Sequence, residues 1–363
     1  MKEEKRRFVG IDLGKREYTM AVIWKTGRMI IHQGKTTEKG RAALYRLLEK
    51  SDKVALEAGN MAFRMAREIM QRVGSEVRVL HAAKLPFIWD TPTKTDKEDA
   101  MKLAHLVEER LDEKLPIVPL PSEKELERRE LISNYQREVK GRTRVINTIH
   151  SLFWKQGQTQ VVKKNISTAE KAREAVTILT GQIREAADWQ IKHFELYEQR
   201  IKELKAKIRE EAKEDKDMKL LQTINGVGPV VAYAFVAHVG DGSRFNSGSQ
   251  VSNYLGFVPR LDYSGTIQRQ GHITKRGNGY LRGLLVQSAW SMVRCLQGGA
   301  LKERYEYLTV FQGKSKKKTI VSIGRRMAEL MYSVLRNKNK YETRPWTGPG
   351  NNPGRLAGQA MCA

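Results

Sequence analysis

Four carboxylates in the first hundred residues have the settings from which metal-assisted phosphoryl chemistry is built. Asp12 ends the apolar run Phe8-Val9-Gly10-Ile11-Asp12-Leu13-Gly14-Lys15, and Gly10 and Gly14 let backbone or ligand come close to it. Glu57 ends a second short apolar stretch, Lys53-Val54-Ala55-Leu56-Glu57. Asp96 and Asp99 open an amphipathic helix within Lys94-Thr95-Asp96-Lys97-Glu98-Asp99-Ala100, where a spacing of three puts them on one helix face. Like charges so placed repel by about 0.2–0.5 kcal/mol unless something positive sits between them. Plainer roles exist: Asp12 as a strand end, and Thr95 or Asp96 as a helix cap with acids favoured in the first turn. Capping accounts for one acid better than for a matched pair. Two hard divalent cations such as Mg²⁺, or Mn²⁺ in its place, would use all four as oxygen ligands.

The elements that must position these acids form a first domain over residues 1–117. Tyr18–Trp24 and Arg28–Gln33 read as further strands, followed by a helix near 37–50, the Glu57 strand, a helix near 61–73 and a strand near 76–80. Strands first, then alternating strand and helix, predict a mixed α/β sheet with helices packed on it. The segment 81–95 crowds Leu85, Pro86, Phe87, Ile88, Trp89 and Pro92 just before the acidic pair. It reads as a buried loop or as a stacking surface for bases.

The whole chain is strongly basic: 66 Lys plus Arg against 41 Asp plus Glu give a net charge of +25 over 363 residues, so polyanions are the expected partners. No apolar run is long enough to span a bilayer, and no signal-peptide core follows Met1. Two distant cysteines, Cys295 and Cys362, make neither a disulfide framework nor a zinc signature, and the seven histidines show no metal-ligand pairing. A reducing cytoplasm fits this usage.

Residues 118–217 read as a helical arm. One long helix is expected from about 121 to 155, its outer face carrying Arg128, Arg129, Arg137, Lys140, Arg142 and Arg144 as a solvated surface or, around Arg137–Arg144, a phosphate-contacting one. A second is expected from about 168 to 213. Phe194, Tyr197, Ile201, Leu204 and Ile208 give it a heptad seam, which could pair with the first helix or with another protomer. A third, mostly helical domain spans 218–336. In it Thr223-Ile224-Asn225-Gly226-Val227-Gly228-Pro229 resembles the hairpin of a helix-hairpin-helix unit, with Gly226 and Gly228 exposing N–H groups to a phosphate or simply turning the chain. Lys316, Lys317 and Lys318 belong to a basic run between its last helices. The Gly-, Asn- and Pro-rich tail 337–363 is expected to be mobile.

The phrases GIDLGK, ALEAGN and KTDKEDA occur in that order. Further on come Tyr254-Leu255-Gly256-Phe257-Val258-Pro259-Arg260, Ser264-Gly265, Gly271–Asn278 and Tyr280-Leu281-Arg282. Together they resemble the DEDD transposases of the insertion-sequence 110 family and the related pilin-gene invertases. The resemblance runs from about residue 7 to 335. It implies a RuvC-like, ribonuclease-H-fold first domain with Asp12, Glu57, Asp96 and Asp99 as the metal-binding tetrad, then a coiled-coil arm and a serine-bearing transposase domain.

By position Ser264 is the implied nucleophile, joining DNA as a 5′-phosphoserine, with Ser247, Ser249 and Ser252 as nearby rivals. Lys15, Arg269, Lys275, Arg276 and Arg282 become candidates for contacting nucleic acid. The resemblance also implies Mg²⁺, donor and target DNA, and a structured bridge RNA as guide. It implies a dimer or tetramer on DNA at the nucleoid, with an active site composed across protomers. Two readings stay open beside it. One is a junction-resolving nuclease in which water attacks; the other is a nucleic-acid-binding protein without catalysis.

Overall fold

The computed structural model describes residues 6–59, 61–81, 95–264 and 267–348, without the side chains of 261–270. It separates into two compact units, 1–122 and 123–363. In the first, β1 (Arg7–Leu13), β2 (Glu17–Trp24) and β3 (Met29–Lys35) form an antiparallel meander. After α1 (Glu38–Leu47), β4 (Lys53–Glu57) joins β1 in parallel; after α2 (Ala62–Arg72), β5 (Glu76–Leu80) joins β4 in parallel. The sheet order β3-β2-β1-β4-β5 is the mixed sheet read from the sequence.

Alternation along the strands divides the apolar side chains between two faces. Val9, Ile11, Met20, Val22, Val54 and Leu56 pack against Leu44 of α1 and Met65 and Ile69 of α2. On the other face Phe8, Ala55 and Leu80 meet Leu103, Leu106 and Val107 of α3 (Asp96–Glu109). Ala21 and Ile23 meet Ala100 and Ala104 there. The aromatic segment 82–94 lies outside the described residues.

In the second unit α4 (Glu123–Lys155) is the first long helix expected. The second is interrupted. Residues 169–213 divide into α5 (Ala169–Ala175), a 3₁₀ turn at Val176–Ile178 and α6 (Gly181–Glu214). The β-branched run Val176-Thr177-Ile178 and Gly181, at φ +58°, break the register. The broken piece folds back so that Ala172, Val176 and Leu179 share a cluster with Phe153 and Phe194.

The seam of α6 faces α4 of the same chain, antiparallel. Arg128 pairs with Glu211 and Asp215 at one end, Tyr197 lies over Gly141 midway, and Gln156 bonds Thr180 at the other. Arm and serine-bearing segment are not separate bodies: Ile132 of α4 and Ile208 of α6 lie in one core with residues from Met218 to Leu335.

That core is built by α7 (Lys216–Leu221), α8 (Pro229–Val239), α9 (Gly248–Tyr254), α10 (Gly279–Arg294), α11 (Gly299–Glu306) and α12 (Lys316–Asn337). Between α9 and α10 stands a hairpin not expected from the sequence, β6 (Pro259–Ser264) with β7 (Ile267–Ile273). The start of the supposed mobile tail is tied down as well. The Tyr341 N–H donates to Thr223, the Ala300 N–H to the Arg344 carbonyl and the Trp346 N–H to Glu303. Burying parts of Tyr341 and Trp346 offsets the ordering of 338–348; residues 349–363 lie outside the described part.

Candidate active site

The four acids come to one end of one sheet face. A Cβ at Gly10 would lie 2.0 Å from the Ala100 carbonyl oxygen and 2.5 Å from the Ala104 nitrogen, so Gly10 admits α3 directly onto β1. Asp12 is two residues further along β1 and therefore on that same face. Gly10 pairs with Ala55 in the parallel register, and Glu57, two beyond Ala55, also faces α3. Residues Val107–Arg110 at the far end of α3 line a depression with Arg6 and Phe8, at the start of β1. The helix thus runs antiparallel to β1 and delivers its first turn, with Asp96 and Asp99, to the end where Asp12 and Glu57 stand. Carboxyl ends of parallel strands are the usual place for a ligand in such sheets.

Capping does not consume the acidic pair. Thr95 is the cap, its hydroxyl accepting from the Glu98 N–H at 3.3 Å. Asp96 is exposed and Asp99 is buried, at 6 % exposure. Asp99 Oδ1 is buried without a hydrogen-bond partner among the described residues. A buried carboxylate oxygen left unsatisfied is costly, and a hard cation satisfies it. Donor type, shared face and this orphaned oxygen fit a divalent metal. Still, no three His, Cys, Asp or Glu side chains among the described residues form a ready-made metal cage, so the tetrad is gathered but not closed. Repulsion between like charges opposes closure.

In the second unit, Ser264 is the last residue of β6, paired with Ile267 across the turn; Gly265 lies outside the described residues. Two of its rivals already have structural work. Ser247 caps α9 by accepting from the Gln250 N–H, and Ser252, fully buried, donates to Glu329 Oε1 at 3.1 Å. Ser249 is exposed on α9.

Much of the surrounding motif serves folding. A Cβ at Gly256 would fall 2.0 Å from the Arg276 carbonyl oxygen, and one at Gly277 would fall 2.1 Å from that of Tyr254. Asn278 caps α10 and meets His238 Nε2 at 2.8 Å. Burial first, then Arg129 and Arg244, hold His238 down to about 4, so it is neutral at pH 7. Nothing in the sequence singled out His238, a lone histidine on the apolar helix α8.

The basic candidates divide. Arg282 is turned inward, donating to the carbonyls of Leu255 and Arg276, so its role is to brace the motif. Gly226, at φ +84°, is a packing glycine: a Cβ there would lie 2.6 Å from the Ser288 carbonyl oxygen. Gly228 is open and caps α8 ahead of Pro229. Lys15, Lys275, Arg276, Lys316, Lys317 and Lys318 are exposed, as are Lys140 and Arg144, while Arg142 is half-buried. Arg137 is exposed and paired with Glu130. Arg269 lies on β7, where its side chain is not described. No helix among the described residues is long and apolar enough to cross a membrane.

Comparison with known proteins bears on the same two regions. Residues 9–155 match the DEDD transposase profile of the IS110 type, and residues 218–306 match the profile described as Transposase IS116/IS110/IS902 family. A probable family 20 transposase of Pseudomonas aeruginosa is 27 % identical over 298 residues, covering 79 % of this chain and 85 % of that one. A putative transposase of Sinorhizobium fredii is 26 % identical over 91 % of this chain and 88 % of its own. A pilin gene-inverting protein of Moraxella bovis is 32 % identical over 34 % of this chain and 38 % of its own. With both profiles matched in order, over the acids and over the serine-bearing motif, the chain belongs to the IS110/IS116/IS902 family of transposases.

Proposed function

We propose that this protein is a metal-dependent recombinase that cuts and rejoins DNA strands for an insertion sequence. The observation that carries the reading is the run of Asp12, Glu57, Asp96 and Asp99 to one end of one sheet face, with a buried oxygen on Asp99 that has no partner among the described residues. The strand order supports a RuvC-like, ribonuclease-H-type first unit. The four acids would hold Mg²⁺, or Mn²⁺ in its place. Bound there, the metal supplies charge neutralisation at the scissile phosphate and makes a hydroxyl easier to deprotonate.

Ser264 is the nucleophile. Its oxygen bonds to phosphorus as the bond to the 3′ oxygen breaks, leaving a 5′-phosphoserine and a free 3′ hydroxyl. A serine hydroxyl is weak at its own pKa and needs such activation. Exposed Lys275 and Arg276 beside the hairpin suit phosphate contact. Donor and target DNA are the substrates, a structured bridge RNA is the guide, and the working form is a homo-oligomer in the cytoplasm. The net charge of +25 supports polyanionic partners, and the guide is carried over from the family resemblance alone.

The test is strand cleavage of donor DNA with Mg²⁺, with covalent protein–DNA adducts read on a denaturing gel. Asp12→Asn is expected to abolish both cleavage and adduct. Ser264→Ala is expected to abolish both as well. Cleavage retained by Ser264→Ala would instead assign attack to water and make the protein a nuclease. Activity without divalent metal, or undiminished in Asp12→Asn, would overturn the metal site.

A further inference from the structure

Between α11 and α12 the chain makes a π-helical turn, Tyr307–Phe311, a geometry rare enough to be kept for a reason. It presents side chains that folding does not use. Val310 and Phe311 are each 71 % exposed, and every residue from Val310 to Lys318 is exposed. The rings nevertheless form a series: Phe311 lies 6.1 Å from Tyr307, and Tyr307 lies 4.9 Å from Trp346. Trp346 is anchored by its N–H to Glu303, and the Tyr307 hydroxyl accepts from Gln312. The inner rings are therefore fixed while the outer face of Phe311 is open.

Charge next to this ladder is all of one sign. Gly313, at φ +61°, turns the chain into Lys314, and Lys316, Lys317 and Lys318 fill the first turn of α12. Lysines oppose the helix dipole there, and Ser315 makes no capping bond with its side chain. Among the described residues none of these four lysines forms an ion pair. Helix end, dipole and ammonium groups thus add to one positive field beside an exposed aromatic face. A purely apolar partner would use the rings alone, and a duplex the charge alone. Unpaired nucleotides use both, because each base offers a flat face to stack and each phosphate a charge to neutralise.

We propose that the Tyr307–Phe311 turn and the Lys314–Lys318 run form a platform for single-stranded nucleic acid, with a base stacked on Phe311 and the following phosphates along the lysines. This deepens the recombinase reading and rests on its polyanionic partners. Duplex, whose bases already stack on one another, engages only the lysines.

The test is fluorescence anisotropy of the full chain with labelled single-stranded DNA, single-stranded RNA and duplex DNA. Phe311→Ala is expected to weaken single-strand binding by about 5- to 100-fold and leave duplex binding unchanged. Phe311→Trp should restore it and Phe311→Leu should not. The triple change Lys316→Gln, Lys317→Gln, Lys318→Gln should lower the salt slope for a single strand by about 2. The tighter of the two single strands identifies the source as RNA or DNA. Unaltered single-strand affinity in Phe311→Ala, or equal loss on duplex, overturns the platform. Phe311 lies outside the core, so an unchanged melting curve separates these outcomes from misfolding. Cleavage is not read here; failure of the recombinase reading would appear in Asp12→Asn and leave this binding as it is.

Discussion

Gly10→Ala puts the site geometry to a direct test. The new methyl would stand 2.0 Å from the Ala100 carbonyl oxygen, 2.5 Å from the Ala104 nitrogen and 2.9 Å from Leu103 Cβ. Two of these are helix backbone, which cannot rotate aside. Relieving the overlap requires α3 to retreat from β1 by at least about 1 Å, and overpacking of this kind costs about 1–3 kcal/mol. In a unit this small that lowers the melting temperature by roughly 5–20 °C. The retreat also carries Asp96 and Asp99 away from Asp12 and Glu57, and a misplacement of about 1 Å costs about 100-fold in rate. Calorimetry and Mg²⁺-dependent strand cleavage read the two effects. Gly283→Ala is the control: it lies within α10 with nothing inside 4 Å, so the same methyl should stabilise by about 0.5–1 kcal/mol. A Gly10→Ala protein as stable and as active as the parent would refute the placement of α3 and, with it, the gathering of the acids.

Two further outcomes follow from buried groups. Asp99→Asn removes a buried carboxylate whose Oδ1 has no partner among the described residues, so it should keep or raise the melting temperature of metal-free protein while abolishing Mn²⁺ binding in calorimetric titration. A clear loss of stability would instead give Asp99 a structural partner. His238, held at about 4 in the fold against an ordinary 6.5, contributes stability that is complete above pH 6.5 and is lost as pH falls toward 4. The loss is on the order of 3 kcal/mol, measured by urea unfolding, and His238→Gln should flatten that slope.

Period-two alternation and the short turns made β1 to β5 readable, because both sheet faces are covered and the apolar pattern is strong. The acids were readable by chemical type and their convergence was expected from chemistry and resemblance, but the contact behind it was not readable: Gly10 meets Ala100, ninety residues away. The supposed continuous helix over 168–213 failed at a β-branched run whose local preference the heptad count ignored. The β6–β7 hairpin escaped notice because its residues are polar and alternate weakly. The Gly256 and Gly277 steps carried the family resemblance in sequence; each proves to be a place where two backbones touch. Arg282 had the charge for phosphate contact, and three-dimensional context spent it on carbonyls.

The shared core of the second unit has a consequence for the order in which this protein comes into being. Ile132 and Leu335 belong to one cluster, so the unit cannot close until two hundred further residues have left the ribosome. At about 5–20 residues per second, α4 waits on the order of ten seconds or more with its apolar seam uncovered. The first unit ends at residue 122, so all of it has been synthesised before that wait begins. Synthesis therefore yields the acid-bearing half first and the half with Ser264 last, and an interrupted chain carries the four acids without that serine.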